Sequence, residues 1–185
     1  MQKQIVTRRI MRPLSYLTLV ILTAVSLGSC RKIETLSDIP YIKFTSFAVF
    51  DTIDILGNHN QGGRLSFYFE DGDGDLGLEA AETGEADTTN LFFTLYRKVN
   101  GVFDTVPDND PLKPYSYRIP YMERTGQNKL LKGTISVTFF YFFYDVADSD
   151  IVRYDFYLKD RAEHYSDTVS TCEIQLSVNG LYTNE

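Results

Sequence analysis

Asp71, Asp73 and Asp75 alternate with glycines in the run Asp71-Gly72-Asp73-Gly74-Asp75-Leu76-Gly77. Glycine lets the backbone curl through positive φ, so three carboxylates can converge within a few ångströms and offer the hard oxygen donors that Ca²⁺ takes. The expected cofactor is Ca²⁺. Against the helix-loop-helix calcium pattern, Asp71, Asp73 and Asp75 occupy ligand positions one, three and five, and Glu82 falls at position twelve. Position six, where that pattern needs glycine, is Leu76, and the incoming segment reads as a strand, so an EF-hand is rejected. What survives is an acidic loop on a β-scaffold, with Asp145, Asp148, Asp150 or Asp160 as further ligands from a neighbouring loop. The alternative is a solvated acidic turn; like charge at this density is costly without a counter-ion, which favours the metal.

Other chemistry finds little support. His59 and His164 are the only histidines, and there is no His-Glu-x-x-His pair, Gly-x-Ser-x-Gly elbow or glycine-rich phosphate loop. Two of the 25 acidic residues could meet as a glycosidase pair, which makes a glycan hydrolase the weakest reading and a non-enzyme the expectation. Cys172 alternates with Ile174, Leu176 and Val178 on one strand face, and reads as a small core residue.

The N-terminus is set apart from the fold. Lys3, Arg8, Arg9 and Arg12 precede an apolar stretch, Leu14 to Leu27, and then Leu27-Gly28-Ser29-Cys30. That arrangement resembles the lipobox of bacterial lipoproteins, which implies a signal peptide over 1–29, lipid attachment at Cys30 and a tether over 30–40. About 14 apolar residues fall short of the roughly 20 that span a bilayer, so the expected form is anchored to the membrane by its lipid. Residues 1–29 hold four basic and no acidic residues, and their removal takes the formal charge from −7 to −11. Such a surface repels phosphate backbones, and no nucleic-acid partner is expected. Arg31-Lys32-Ile33-Glu34 is not the acidic cluster that marks surface export in lipoproteins, so the periplasmic and outer faces of the outer membrane both stay open.

The elements that must hold the acidic loop read as strands. Thirteen Phe and thirteen Tyr, with no Trp, recur between turn residues as in all-β proteins. Tyr41 to Phe50 is extended, and Gly57 to Gly63 follows as a polar turn region. Arg64 to Glu70 puts Leu65, Phe67 and Phe69 on one face, as in a half-buried antiparallel strand leading into the acidic loop. Asn100-Gly101 predicts a type I′ hairpin in which Val99 faces Val102, Arg97 faces Asp104 and Leu95 faces Val106. Asp108 to Pro120 reads as a surface loop, Val152 to Lys159 as a strand with Val152, Tyr154, Phe156 and Leu158 inward, and Thr168 to Val178 as the closing strand. Lys132 to Tyr144 is apolar on both faces: either chain covers both, or Phe140, Phe142 and Tyr144 form an exposed strip for a partner. Seven or eight strands predict an antiparallel two-sheet β-sandwich over 41–179, with a tail over 180–185.

The acidic run Phe67 to Gly77, together with Tyr154 to Val169, resembles small lipoproteins of the Bacteroidota type. Within the later segment, Asp160-Arg161-Ala162 with Ser166 and Thr168 is similar to the closing strands of immunoglobulin-like and cadherin-like extracellular modules. The resemblance implies an immunoglobulin-like sandwich in the cell envelope and carries no activity. The function expected is a non-catalytic binding or adhesion module for a protein or glycan. The alternative is a structural accessory lipoprotein of an outer-membrane assembly or nutrient-uptake complex.

Overall fold

The computed structural model describes residues 36–79, 89–123, 129–142 and 144–184. The signal segment, Cys30 and Glu82 lie outside the described residues. Among those described there is no helix, and so none long and apolar enough to cross a membrane.

Nine strands form: β1 (Tyr41–Ile53), β2 (His59–Asp71), β3 (Leu91–Val99), β4 (Val102–Thr105), β5 (Leu131–Phe140), β6 (Ile151–Leu158), β7 (Val169–Ser170), β8 (Ile174–Gln175) and β9 (Gly180–Tyr182). They make two antiparallel sheets, ordered β5-β2-β1-β9 and β4-β3-β6-β7, with β8 also paired to β6. The protein is an all-β sandwich. Its first, second and fifth strands share one sheet and its third, sixth and seventh the other, the crossover pattern of immunoglobulin-type Greek keys.

Strand alternation builds the core, with one slip in β1, where a bulge between Phe44 and Ser46 moves the inward face on to Phe47 and Val49. Ile42, Phe44, Phe47 and Val49 of β1, Leu65, Phe67 and Phe69 of β2, and Val152, Tyr154, Phe156 and Leu158 of β6 are all buried. Phe67 meets Phe156 across the sheets at 5.2 Å, and Phe47 stacks on Tyr154 at 5.6 Å. A polar link within this core joins the hydroxyls of Tyr141, just after β5, and Tyr154 at 3.0 Å; burial raises both phenol pKa values, so both stay protonated.

Several expectations change. The polar turn is shorter than the composition suggests, because His59 to Gly63 belong to β2; Gly62 and Gly63 leave room for the rings of Phe50 and Phe47 on the neighbouring strand. The Asn100-Gly101 hairpin forms in the expected register, with φ of 50° and 84°. Arg97, however, turns away from Asp104 and pairs with Asp110 at 3.3 Å and Asp150 at 3.5 Å. The connection over 108–120 is no simple surface loop: Leu112 and Ile119 are buried in the core. The closing strand is interrupted. Thr171 breaks it by bonding both ways to the backbone of Tyr154, and Val178, expected inside, is exposed. Cys172 is half-buried against the core, and the expected tail contributes β9, which pairs with β1.

Candidate metal centre

Asp71 ends β2 opposite Leu131 of β5 and is 0% exposed. Its Oδ2 accepts the backbone N–H of Leu76 at 2.7 Å, which folds the loop back over the strand end. Gly74 (φ 66°) and Gly77 (φ 94°) take the left-handed conformation that only glycine adopts without strain. Gly72 serves another purpose: its N–H donates to the Ser37 carbonyl at 2.9 Å, and a Cβ there would lie 2.5 Å from the carbonyl oxygens of Leu36 and Ser37. The segment leading into β1 therefore packs directly on the acidic loop.

The result is convergence. One carboxylate oxygen from each of Asp71, Asp73 and Asp75 lies within 4.8 Å of the other two. The Oδ1 atoms of all three are buried and have no hydrogen-bond partner, and the nearby Arg161 offsets only part of the crowding at Asp75. Calcium–oxygen distances near 2.4 Å allow two ligands of one ion to stand up to about 5 Å apart, so this spacing fits a shared cation.

A second loop closes on the first. After β6 the chain turns at Asp160, which is buried; its Oδ1 accepts the His164 N–H at 2.8 Å and its Oδ2 lies 3.1 Å from His164 Nδ1. Glu163 completes the turn at a φ of 68°, a strained conformation for a residue with a Cβ. Arg161 donates to the Gly77 carbonyl at 2.7 Å. This loop thus sets Asp160 beside the triad. Asp145, Asp148 and Asp150 precede β6 and stand at the opposite end of the sandwich, where Asp150 binds Arg97 and the Tyr144 hydroxyl. They are excluded as ligands.

Electrostatics follow from crowding. Loss of solvent raises Asp71 from its ordinary 3.8 to about 6, and Asp73 and Asp75 beside it push the same way. Asp75 is also raised, by burial first and then by Asp160 and Asp73. His164 moves upward through its hydrogen bond to Asp160, helped by the charges of Asp73 and Asp75. The cluster favours any added positive charge, proton or metal.

The aromatic strip divides. Phe140 is 52% exposed and its ring stacks on Phe142 at 5.1 Å and 3°. Tyr144 leaves the strip: it is half-buried, bonded to Asp150 and covered by Arg97 at 5.3 Å. In its place stand residues that strand patterning passed over. Ile53, Ile55 and Leu56, at the tip of the β1–β2 hairpin, join Phe140 and Phe142 around a groove of about 430 Å³, and Ile55 is fully exposed. The signal was present in Asp54-Ile55-Leu56-Gly57-Asn58, where two large apolar residues occupy a turn. Asp54 builds that turn, accepting the N–H groups of Leu56 and Asn58.

Comparison of the chain with protein families, with curated proteins and with solved structures gives no match.

Proposed function

We propose that the protein is a lipid-anchored component of the cell envelope, whose sandwich is a non-catalytic binding module stiffened by Ca²⁺ at Asp71, Asp73 and Asp75. The observation that carries the calcium reading is the convergence of one carboxylate oxygen from each of the three, together with a buried and unpartnered Oδ1 on each. A bound divalent ion would give each of them a ligand bond and cancel the repulsion that raises Asp71. Asp160, buried beside Asp75, is the next acidic group in reach, and Arg161 with His164 frames the site.

The lipid anchor rests on the sequence around Cys30. The partner surface rests on Phe140 and Phe142, with Ile53, Ile55 and Leu56 completing it at the end of β1 remote from the acidic loop. An accessory role in an outer-membrane assembly is favoured by one observation: the loop is stitched to Leu36 and Ser37, so metal there would fix the segment through which the domain meets its anchor.

Calorimetric titration with Ca²⁺, run beside thermal melts in calcium and in chelator, tests the metal. A binding isotherm and a melting shift, both lost in Asp73→Ala, support it. Superimposed melts and no heat reduce Asp71 to Asp75 to an acidic turn. Membrane fractionation of Cys30→Ser tests the anchor, since that variant should leave the membrane. Phe140→Ser with Phe142→Ser separates the two roles: loss of envelope-protein capture with an unchanged melt favours the binding module, and unchanged capture favours the accessory role.

A further inference from the structure

A third region belongs neither to the acidic loop nor to the apolar tip. On the outer face of the second sheet, alternation that sends Leu91 and Leu95 inward leaves Phe92 and Thr94 facing out on β3, and Tyr157 facing out on β6. Phe92 and Tyr157 are direct cross-strand partners, and their rings stack at 5.1 Å and 22°. Tyr165 extends the row at 6.1 Å from Tyr157. Outward strand positions ordinarily carry polar residues, so a row of rings here calls for a cover.

Beside the rings the connection between β4 and β5 rises as a wall and leaves a cleft of about 500 Å³. The wall is held from behind. Leu112 is buried, Asp110 accepts the Leu112 N–H at 2.9 Å and pairs with Arg97, and the Lys113 N–H donates to the Asp110 carbonyl at 3.0 Å. Tyr115 stands on this wall, 89% exposed. Asn109 and Ser116 line the cleft with it, and Thr94 lines the floor.

The lining selects a chemical class. Ring faces offer flat apolar area to C–H groups, while amide and hydroxyl groups beside them offer directed hydrogen bonds; ligands that alternate C–H faces with hydroxyls match both. The cations near the cleft are already engaged, Lys113 with Asp108 and Arg97 with Asp110 and Asp150, and the chain carries a formal −7. Phosphorylated and carboxylated ligands are therefore disfavoured. We propose that this cleft binds a neutral saccharide, stacked on the Phe92–Tyr157 pair and closed over by Tyr115. The inference stands apart from the calcium reading and from the apolar tip, because none of its residues belongs to either.

Affinity electrophoresis of the full chain tests it, in native gels containing starch, xylan, mannan or mixed-linkage β-glucan, with alginate as the anionic counterpart. The expected result is retardation in at least one neutral gel. Tyr115→Ala should weaken it about tenfold, as loss of one stacking ring does, while Tyr115→Phe should retain it. Because Tyr115 is exposed, Tyr115→Ala should melt with the wild type, which separates lost binding from lost fold. Retardation by no neutral polysaccharide, retardation only in alginate, or retardation that both Tyr115→Ala and Phe92→Ala leave intact would each overturn the proposal.

Discussion

At the Asp71 end of the β1–β2 hairpin the chain buries carboxylates, and at the other end, beyond Ile53, it exposes hydrocarbon. The two ends are separated by the 13-residue length of β1, about 40 Å at the usual strand rise. Both arrangements run against the ordinary solvation preference of their side chains. Buried carboxylates raise one another's proton affinity until something positive joins them; exposed Ile55, Leu56, Phe140 and Phe142 keep water in contact with apolar surface until something covers them. On the proposed reading each end takes a second component, and the two components differ in kind. A small cation suits the first, and an apolar surface suits the second.

The largest effects are expected at the acidic end. Calcium at a hundred times its dissociation constant should stabilise the native state by about 2.7 kcal/mol, a rise of about 5–10 °C in melting temperature for a domain of this size. Asp73→Ala should abolish that rise in a melt read by circular dichroism. Gly72→Ala should cost about 1–3 kcal/mol in the same assay, since its methyl would press on the carbonyls of Leu36 and Ser37, which belong to backbone. If calcium protects this variant less than the wild type, metal binding and docking of the 36–37 segment are one event.

Acidity sharpens the contrast further. The folded pKa of Asp71, about 6, lies above its ordinary 3.8, so between those values the folded state holds more protons than the unfolded one. In chelator the protein should therefore gain stability as the pH falls from 7.5 towards 5. Its calcium-dependent rise in melting temperature should shrink over the same interval, because protons and metal compete for Asp71. Equal melts at both pH values in chelator would show that Asp71 ionises as freely as it does unfolded. The smallest effect belongs to the apolar end: Ile55→Ser and Leu56→Ser, at exposed positions, should move stability by no more than about 0.5 kcal/mol. A larger loss would place them in the core and end their role as contact surface.

Much of the scaffold was legible because alternation is a local property. The inward faces of β2 and β6 follow residue by residue from Leu65 and Val152 onward, β1 follows from Ile42 only as far as Phe44, where a bulge shifts the inward face to Phe47 and Val49, and Asn100-Gly101 set its own hairpin. Elsewhere long-range contacts override local pattern. Arg97 opposes Asp104 in register yet reaches inward to Asp110 and Asp150, because a desolvated pair of carboxylates outcompetes one exposed partner. Thr171 breaks the last strand through its bonds to Tyr154, seventeen residues earlier. Tyr144 left the aromatic strip for the same Arg97 and Asp150.

The candidate sites divide along the same line. The crowding of Asp71, Asp73 and Asp75 is local, since seven residues with glycines between them have little room to separate. The alternation that builds the protein of strands is local too. Only the tertiary structure decided that Asp160 stands by the triad while Asp145, Asp148 and Asp150 lie at the far end, that Ile55 and Leu56 join Phe140 and Phe142, and that Phe92, Tyr157 and Tyr115 share a cleft. Those neighbours are set by sheet order and by the direction in which each strand runs. Such distances are fixed by pairing between segments far apart in the chain, and no local spacing encodes them.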